Sequence, residues 1–449
     1  MSNKKNVIGE AVNRIDGLLK VTGTAQYTTD FSIKTVASGY LIKSTIAAGR
    51  IVDIETAAAE KSPGVVAVIT HKNAPKLKSS SNIRGGGILQ TDKVEYHGQN
   101  IGVIVAETFE QARLAARLIK VNYEKSEAKV DFQKHEKEAA KPKAEDRQDA
   151  VRGDVETAFK TAEFKVDAIY ETPIEHHQPM APHATIAVWE AADKLTLYNE
   201  SQVVNGVQNA VAASFGLKPA NVRVITPHVG GGFGSKGGAW GHVIITAIAA
   251  QMVKRPVKLA LTRQMMVNSV GLRQKNIQHL RLAATKDGKL IAQAHETVTH
   301  SAINAEFVEP CGDCTKVMYD APNSKISYRV VPMNIILPTF QRAPGKSTGS
   351  FALESAIDEL AYKLKIDPVE FRIKNEPAKD PSNGKPWSSR SVVECLKKGA
   401  EVFGWSRRKI EPGQNRQGNY LIGYGVGCGT YPARQRDTSA IVKLTRSGD

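Results

Sequence analysis

The feature that most constrains this chain is the run Val229-Gly230-Gly231-Gly232-Phe233-Gly234-Ser235-Lys236-Gly237-Gly238. It stands between the β-branched stretch Asn221-Val222-Arg223-Val224-Ile225 and an apolar, helix-like run from Val243 to Met252. Glycines leave backbone N–H groups uncovered, so a strand-to-helix junction built from them can close around an anionic or oxo-rich ligand. A single aromatic side chain, Phe233, would then project into whatever the loop surrounds. The spacing fits neither the dinucleotide fingerprint nor the phosphate loop ending in Lys-Ser/Thr.

Other segments accompany the loop in a fixed order. They are Arg14-Ile15-Asp16-Gly17, Lys20-Val21-Thr22-Gly23-Thr24-Ala25-Gln26-Tyr27, Pro63-Gly64-Val65-Val66-Ala67-Val68 and His176-His177-Gln178-Pro179-Met180-Ala181-Pro182-His183 before it. After it come Arg255-Pro256-Val257-Lys258, Gln341-Arg342-Ala343-Pro344-Gly345, Glu354-Ser355-Ala356-Ile357-Asp358-Glu359-Leu360-Ala361 and Asp367-Pro368-Val369-Glu370. Together they resemble the molybdenum-binding subunit of the xanthine dehydrogenase and aldehyde oxidase family, with the greatest likeness to bacterial multi-subunit aldehyde dehydrogenases. The resemblance implies an α+β fold: a small α/β hammerhead domain at 14–125, a charged linker at 126–150, and the first molybdenum-cofactor-binding domain from 151 to 449, cut off before the second. It implies molybdopterin cytosine dinucleotide as cofactor, and [2Fe–2S] clusters and FAD on separate iron–sulfur and flavin subunits. Gly232 and Phe233 would contact the metal's oxo side, the Gln202 amide would bond the apical oxo group, and Arg342 would flank the molybdenum. No direct protein ligand to the metal is expected. The catalytic glutamate is expected beyond residue 449, so the isolated chain is expected to be inactive.

Composition sets outer bounds on these readings. With 449 residues, 41% of them hydrophobic and 24% charged, the chain can bury two or three sizeable cores. No apolar stretch approaches the roughly 20 residues of a membrane span, and the polar start Met1-Ser2-Asn3-Lys4-Lys5-Asn6 lacks a secretory signal, which points to the cytoplasm. The formal charge of +16 is spread among interleaved acids, as in Glu136-Lys137-Glu138, without the aromatic interleaving of a nucleic-acid module. Four cysteines make no disulfide framework and no array that could hold an iron–sulfur cluster.

Periodicity places the remaining elements. Val65–Ile69, Ile101–Val105 and Leu195–Tyr198 read as strands, and Leu280–Ala284 with Leu290–Ala294 as a hairpin about Asp287-Gly288. Leu353, Ile357, Leu360 and Leu364 share one helix face ahead of Pro368, and Ser439–Leu444 reads as a strand before a turn at Ser447-Gly448-Asp449. The segment 126–150 has few large apolar residues and reads as exposed, and Gly85-Gly86-Gly87, with no helix after it, reads as a mobile loop.

Two features invite a metal reading that the sequence does not sustain. Pro179 and Pro182 forbid a helical pairing of His176, His177 and His183, which read as structural residues lining an approach to the site. Cys311-Gly312-Asp313-Cys314 has no second pair at metal-site spacing. For substrate, xanthine-type members of the resembled family place a glutamate four residues after the loop phenylalanine, and this chain has Gly237 there, which favours aldehydes or other N-heterocycles. Tyr431 stands where a residue of the substrate funnel is expected. The competing reading is a non-catalytic fragment or degenerate paralogue that folds or binds partners without cofactor.

Overall fold

The computed structural model describes residues 9–79, 81, 83–86, 88–432, 437–442 and 446. The polar amino terminus, Gly87 and the turn at 447–449 lie outside them. Helices and sheets mix along the chain, as an α+β reading requires.

A seven-stranded sheet forms the first body. In spatial order it contains Val222–Ile225, Lys194–Asn199, Ala184–Ala191, Val257–Ala260, Ala37–Lys43, Asn100–Ala106 and Val65–Thr70. The strand Ala37–Lys43 pairs in parallel with Val257–Ala260, with Gly39 opposite Leu259. The sheet therefore takes strands from both sides of the boundary read at residue 125. Against it lies the helix Gly241–Val253, whose residues from Gly241 to Ala250 are all buried. A helix that is apolar on every side belongs inside a protein, and each buried Ile or Val there contributes about 1.5–3 kcal/mol. This helix is the floor on which the glycine loop stands, because Trp240 caps it and is itself buried.

The second body is a five-stranded sheet in the order Ala150–Arg152, Asn323–Met333, Leu290–Ala302, Asn276–Ala284, Phe164–Thr172. The expected hairpin is present as the antiparallel pair Asn276–Ala284 and Leu290–Ala302. The helix Lys346–Leu364 lies over this sheet and buries Ala352, Leu353, Ala356, Ile357, Leu360 and Ala361. Its polar back is tied to the helix Pro368–Lys374 by the fully buried Arg372, which pairs with Glu354 at 2.8 Å and Asp358 at 2.7 Å. A third, smaller sheet joins Lys93–Val94, Gly49–Glu55 and Lys120–Lys125.

Three local readings are refined or corrected by the structure. The charged segment 126–150 is largely exposed, as its composition implies, yet anchored: Phe132 is buried against Ile277, Val331 and Met333, Lys129 N–H donates to Asn334 Oδ1 at 2.9 Å, and Ala140 pairs with Val330. One aromatic and a few backbone bonds suffice to seat a segment whose average composition is that of solvent-exposed chain. Gly85 packs on the Trp240 ring, its carbonyl accepts from the Tyr96 hydroxyl at 2.9 Å, and neighbouring Arg84 N–H donates to Ala239, so this stretch is pinned beside the glycine loop. Residues 439–442 form no strand, and Ile441 and Val442 are exposed, because no partner strand lies alongside them among the described residues.

Candidate functional site

The glycine run leaves the strand Val222–Ile225 and returns into the helix Gly241–Val253 as a tight curl. Gly230, Gly231, Phe233 and Gly234 all have positive φ, and for a phenylalanine that conformation is rare and strained. At Gly234 only glycine fits, since a Cβ there would lie 2.1 Å from the Phe340 carbonyl oxygen. The curl turns backbone N–H groups outward: those of Gly230, Gly231, Gly232 and Phe233 find no acceptor among the described residues. Such a row of free donors is an anion-binding concavity.

Gln202 is bound to the curl at both ends. Its N–H donates to the Lys236 carbonyl at 2.9 Å, and its Oε1 accepts from Gly234 N–H at 2.9 Å. The exposed Nε2 makes no bond among the described residues, so the amide presents donors to the space beside the curl. Arg342 arrives from the opposite side, its N–H donating to the Phe233 carbonyl at 2.8 Å and its guanidinium exposed. The four residues singled out in the sequence, Gln202, Gly232, Phe233 and Arg342, thus share one hydrogen-bonded cluster.

Buried charges that the sequence reading passed over hold this cluster together. Lys236 Nζ donates to the carbonyls of Val229 at 2.7 Å and Ala181 at 3.0 Å, closing the ends of the curl, and burial pulls its pKa down to about 8. Glu200, whose pKa burial raises, accepts from Thr28 and Ala184 N–H groups at 3.0 and 3.2 Å. Arg273 donates to the carbonyls of Gln341 and Arg342 at 2.9 and 2.7 Å and pairs with Glu175 and buried Glu309, whose Oε1 accepts from Gly345 N–H at 2.6 Å. Burial raises the Glu309 pKa. His177 Nε2 bonds the Phe340 carbonyl at 2.9 Å, and burial lowers its pKa to about 4, so it is a neutral donor there.

Two hollows flank the curl. One, of about 550 Å³, is lined by Tyr27, Met180, Gly230, Gly231 and Phe233. The other, of about 440 Å³, is lined by Phe307, Phe340, Pro344 and Tyr431. His183 is apart from both, buried edge-on against His242 at 5.9 Å. Cys311 and Cys314 are buried free thiols whose pKa values are raised by desolvation, and no cluster of three His, Cys, Asp or Glu suited to a metal occurs among the described residues.

A backbone cradle of free donors, an amide nitrogen without a partner among the described residues and an exposed guanidinium thus meet at one strand-to-helix junction. Residues 135–376 match the family described as the molybdopterin cofactor-binding domain, and residues 22–127 match the aldehyde oxidase and xanthine dehydrogenase a/b hammerhead domain. The chain belongs to the aldehyde oxidase and xanthine dehydrogenase family of molybdopterin-binding oxidoreductases, as an α+β hammerhead domain followed by a cofactor-binding domain. It is 39% identical to the aldehyde oxidoreductase molybdenum-binding subunit PaoC of Escherichia coli, over 98% of this chain and 60% of that protein. It is 28% identical to the putative xanthine dehydrogenase molybdenum-binding subunit XdhA of the same species, over 93% of this chain and 58% of that one. Quinoline 2-oxidoreductase from Pseudomonas putida shares the fold with a TM-score of 0.80 over 90% of this chain and 55% of that chain, at 22% identity. The chain thus spans about three fifths of the length of these curated relatives.

Proposed function

We propose that this chain is the cofactor-cradling portion of a cytoplasmic molybdenum hydroxylase that oxidises aldehydes to carboxylic acids, or N-heterocycles, with oxygen drawn from water. The cofactor in this reading is molybdopterin cytosine dinucleotide, and electrons leave through [2Fe–2S] and FAD groups on partner subunits. The observation that carries the reading is the run of N–H groups at 230–233, free among the described residues, set beside the unbonded Gln202 Nε2. The residues fit the group: its oxo-rich metal centre needs hydrogen-bond donors, and donors without carboxylates are what the curl offers. When bound, the cofactor supplies the two-electron redox chemistry and the oxygen to be transferred.

This chain's own part is positioning and electrostatics. The curl and Gln202 would hold the cofactor by donors fixed in advance, which cost no reorganisation when charge develops. Arg342, whose guanidinium is exposed, would set a permanent cation beside the bound group. The hollow lined by Phe340, Pro344 and Tyr431, with Arg147, Asp313 and Lys346 also on its wall, would take the substrate. The domain division at 14–125, 126–150 and 151–449 is part of the same reading.

Substrate preference follows from Gly237. A Cβ there would come within 2.8 Å of the Phe340 ring and 3.0 Å of the Gly234 carbonyl, so the loop has no room for a carboxylate that would grip a purine. The kinship with an aldehyde oxidoreductase subunit supports the same choice. The test is to purify the assembled complex, measure molybdenum by mass spectrometry and released cytidine monophosphate after acid hydrolysis, and assay benzaldehyde against xanthine. Near-stoichiometric molybdenum and cytidine monophosphate with aldehyde turnover are expected. A complex free of molybdenum, or one that oxidises xanthine in preference, rejects the reading.

A further inference from the structure

A third hollow lies away from the glycine curl, where the outer helix Phe109–Ala116 and its C-terminal turn face the short helix Arg263–Met266. Its volume is about 530 Å³, within the range of small-molecule sites. Three cations line it, Lys43, Arg113 and Arg117, and no aspartate or glutamate does. Arg113 and Arg117 are four residues apart, so their side chains leave the helix on one face. Neither guanidinium has a hydrogen-bond or ion-pair partner among the described residues. Lys43 is half-buried in the lining, and its Nζ meets only neutral groups, the Gly98 carbonyl at 3.1 Å and the Ser269 hydroxyl at 2.5 Å. Desolvation lowers its pKa to about 7, a penalty that a bound anion would relieve. Nearby, the Asn268 amide oxygen is buried without a partner.

Unpaired cations gathered in a concave site without counter-charge need an anion, and two guanidinium forks with an ammonium match the oxygens of a phosphoryl group. We propose that this hollow binds a small phosphorylated molecule, its phosphoryl dianion held by Lys43, Arg113 and Arg117 and its organic part lying on Ile119 and Val121. The volume of the hollow, that of a small-molecule site, favours a small molecule over an acidic protein segment.

Calorimetric titration of the assembled complex with inorganic phosphate and with glycerol 3-phosphate tests this. Saturable binding at one site per chain is expected, tighter for the ester if the apolar wall is used and equal for both if free phosphate is the natural occupant. Arg113→Gln with Arg117→Gln should weaken binding about 10-fold or more, with an unchanged thermal melt because both side chains are exposed and unbonded. Arg223→Gln, a charge removed from the distant edge strand Val222–Ile225 of the sheet that carries Lys43, should leave binding intact and so controls for net charge. Absence of saturable binding by either probe overturns the proposal, as does binding that survives the double variant. Loss of partner subunits from the double variant, with no anion binding by the wild type, would assign the hollow to an acidic protein segment and overturn it equally.

Discussion

At the scale of single residues, the sharpest constraint is that between Gly232 and Gln202. Gly232 is not among the residues of positive φ, so its role is not conformational freedom. A Cβ there would lie 2.4 Å from Gln202 Oε1 and 2.7 Å from its amide carbon, so any side chain expels the amide from its bond to Gly234. Gln202→Ala should lower turnover about 10²-fold while metal content falls far less, since one preorganised donor is lost and the cradle stays. Gly232→Ala should cost at least as much. The double variant should be no worse than Gly232→Ala alone, because the alanine at 202 removes the obstacle. Multiplying losses in a double-mutant cycle of turnover would show that the two positions act independently.

At the scale of elements, two clasps fix the loops that carry the site. Arg273 reaches from the segment after Gly271 to grip the carbonyls at 341 and 342, and it neutralises the buried Glu309. Arg273→Met should therefore destabilise the protein by about 3–5 kcal/mol, the usual consequence of leaving a buried partner unpaired. Lys236→Met should cost about 1–3 kcal/mol, since two carbonyls lose their donor while the aliphatic stem is replaced in kind. Denaturant melts of both variants measure this, and a change below the error of extrapolation in Arg273→Met would remove the clasp from the account. These clasps mark the limit of what the sequence discloses. The glycine run, the hairpin around Gly288 and the helix 346–364 are legible because their signals are local. Gln202, Gly232, Phe233 and Arg342 stand out by motif. Lys236, Arg273 and Glu309 do not, since a buried charge is written with the same letters as a surface one. The sole local hint was Lys236, a long side chain inside a run of glycines. Nor does any local pattern foretell that Ala37–Lys43 pairs with Val257–Ala260, a register set only when distant strands meet.

At the scale of the whole molecule, acid sensitivity follows from how many histidines are buried neutral. His177 and His300 have pKa values lowered to about 4, His242 and His295 to about 3, and His183 lies well below the ordinary value, all chiefly by desolvation. His295 shows why: its two nitrogens are bonded to Thr315 Oγ1 at 2.7 Å and Gln278 Oε1 at 3.0 Å in a site closed to water. In the unfolded chain each titrates near 6.5, so between that value and the folded pKa the unfolded state binds more protons. Stability contributed by these groups is complete above about pH 6.5 and is lost as pH falls, at about 1.4 kcal/mol per unit for each histidine still neutral in the fold. The raised carboxyls of Glu200 and Glu309 act in the opposite sense just above their ordinary value, but two groups offset five only in part. A formal charge of +16, growing as surface carboxylates protonate, adds self-repulsion of the same sign as the histidine effect. The melting temperature should therefore fall gently from pH 8 to 7, where Lys43 with its pKa lowered to about 7 is still largely neutral in the fold but charged in the unfolded chain, and fall steeply from about 6.5 to 4.5. His295→Gln, which keeps a polar group where no proton can bind, should make that fall shallower even if it lowers stability at pH 7. A melting temperature independent of pH across this range, or a His295→Gln slope equal to that of the wild type, would mean that these imidazoles are reached by water and protonate in the fold.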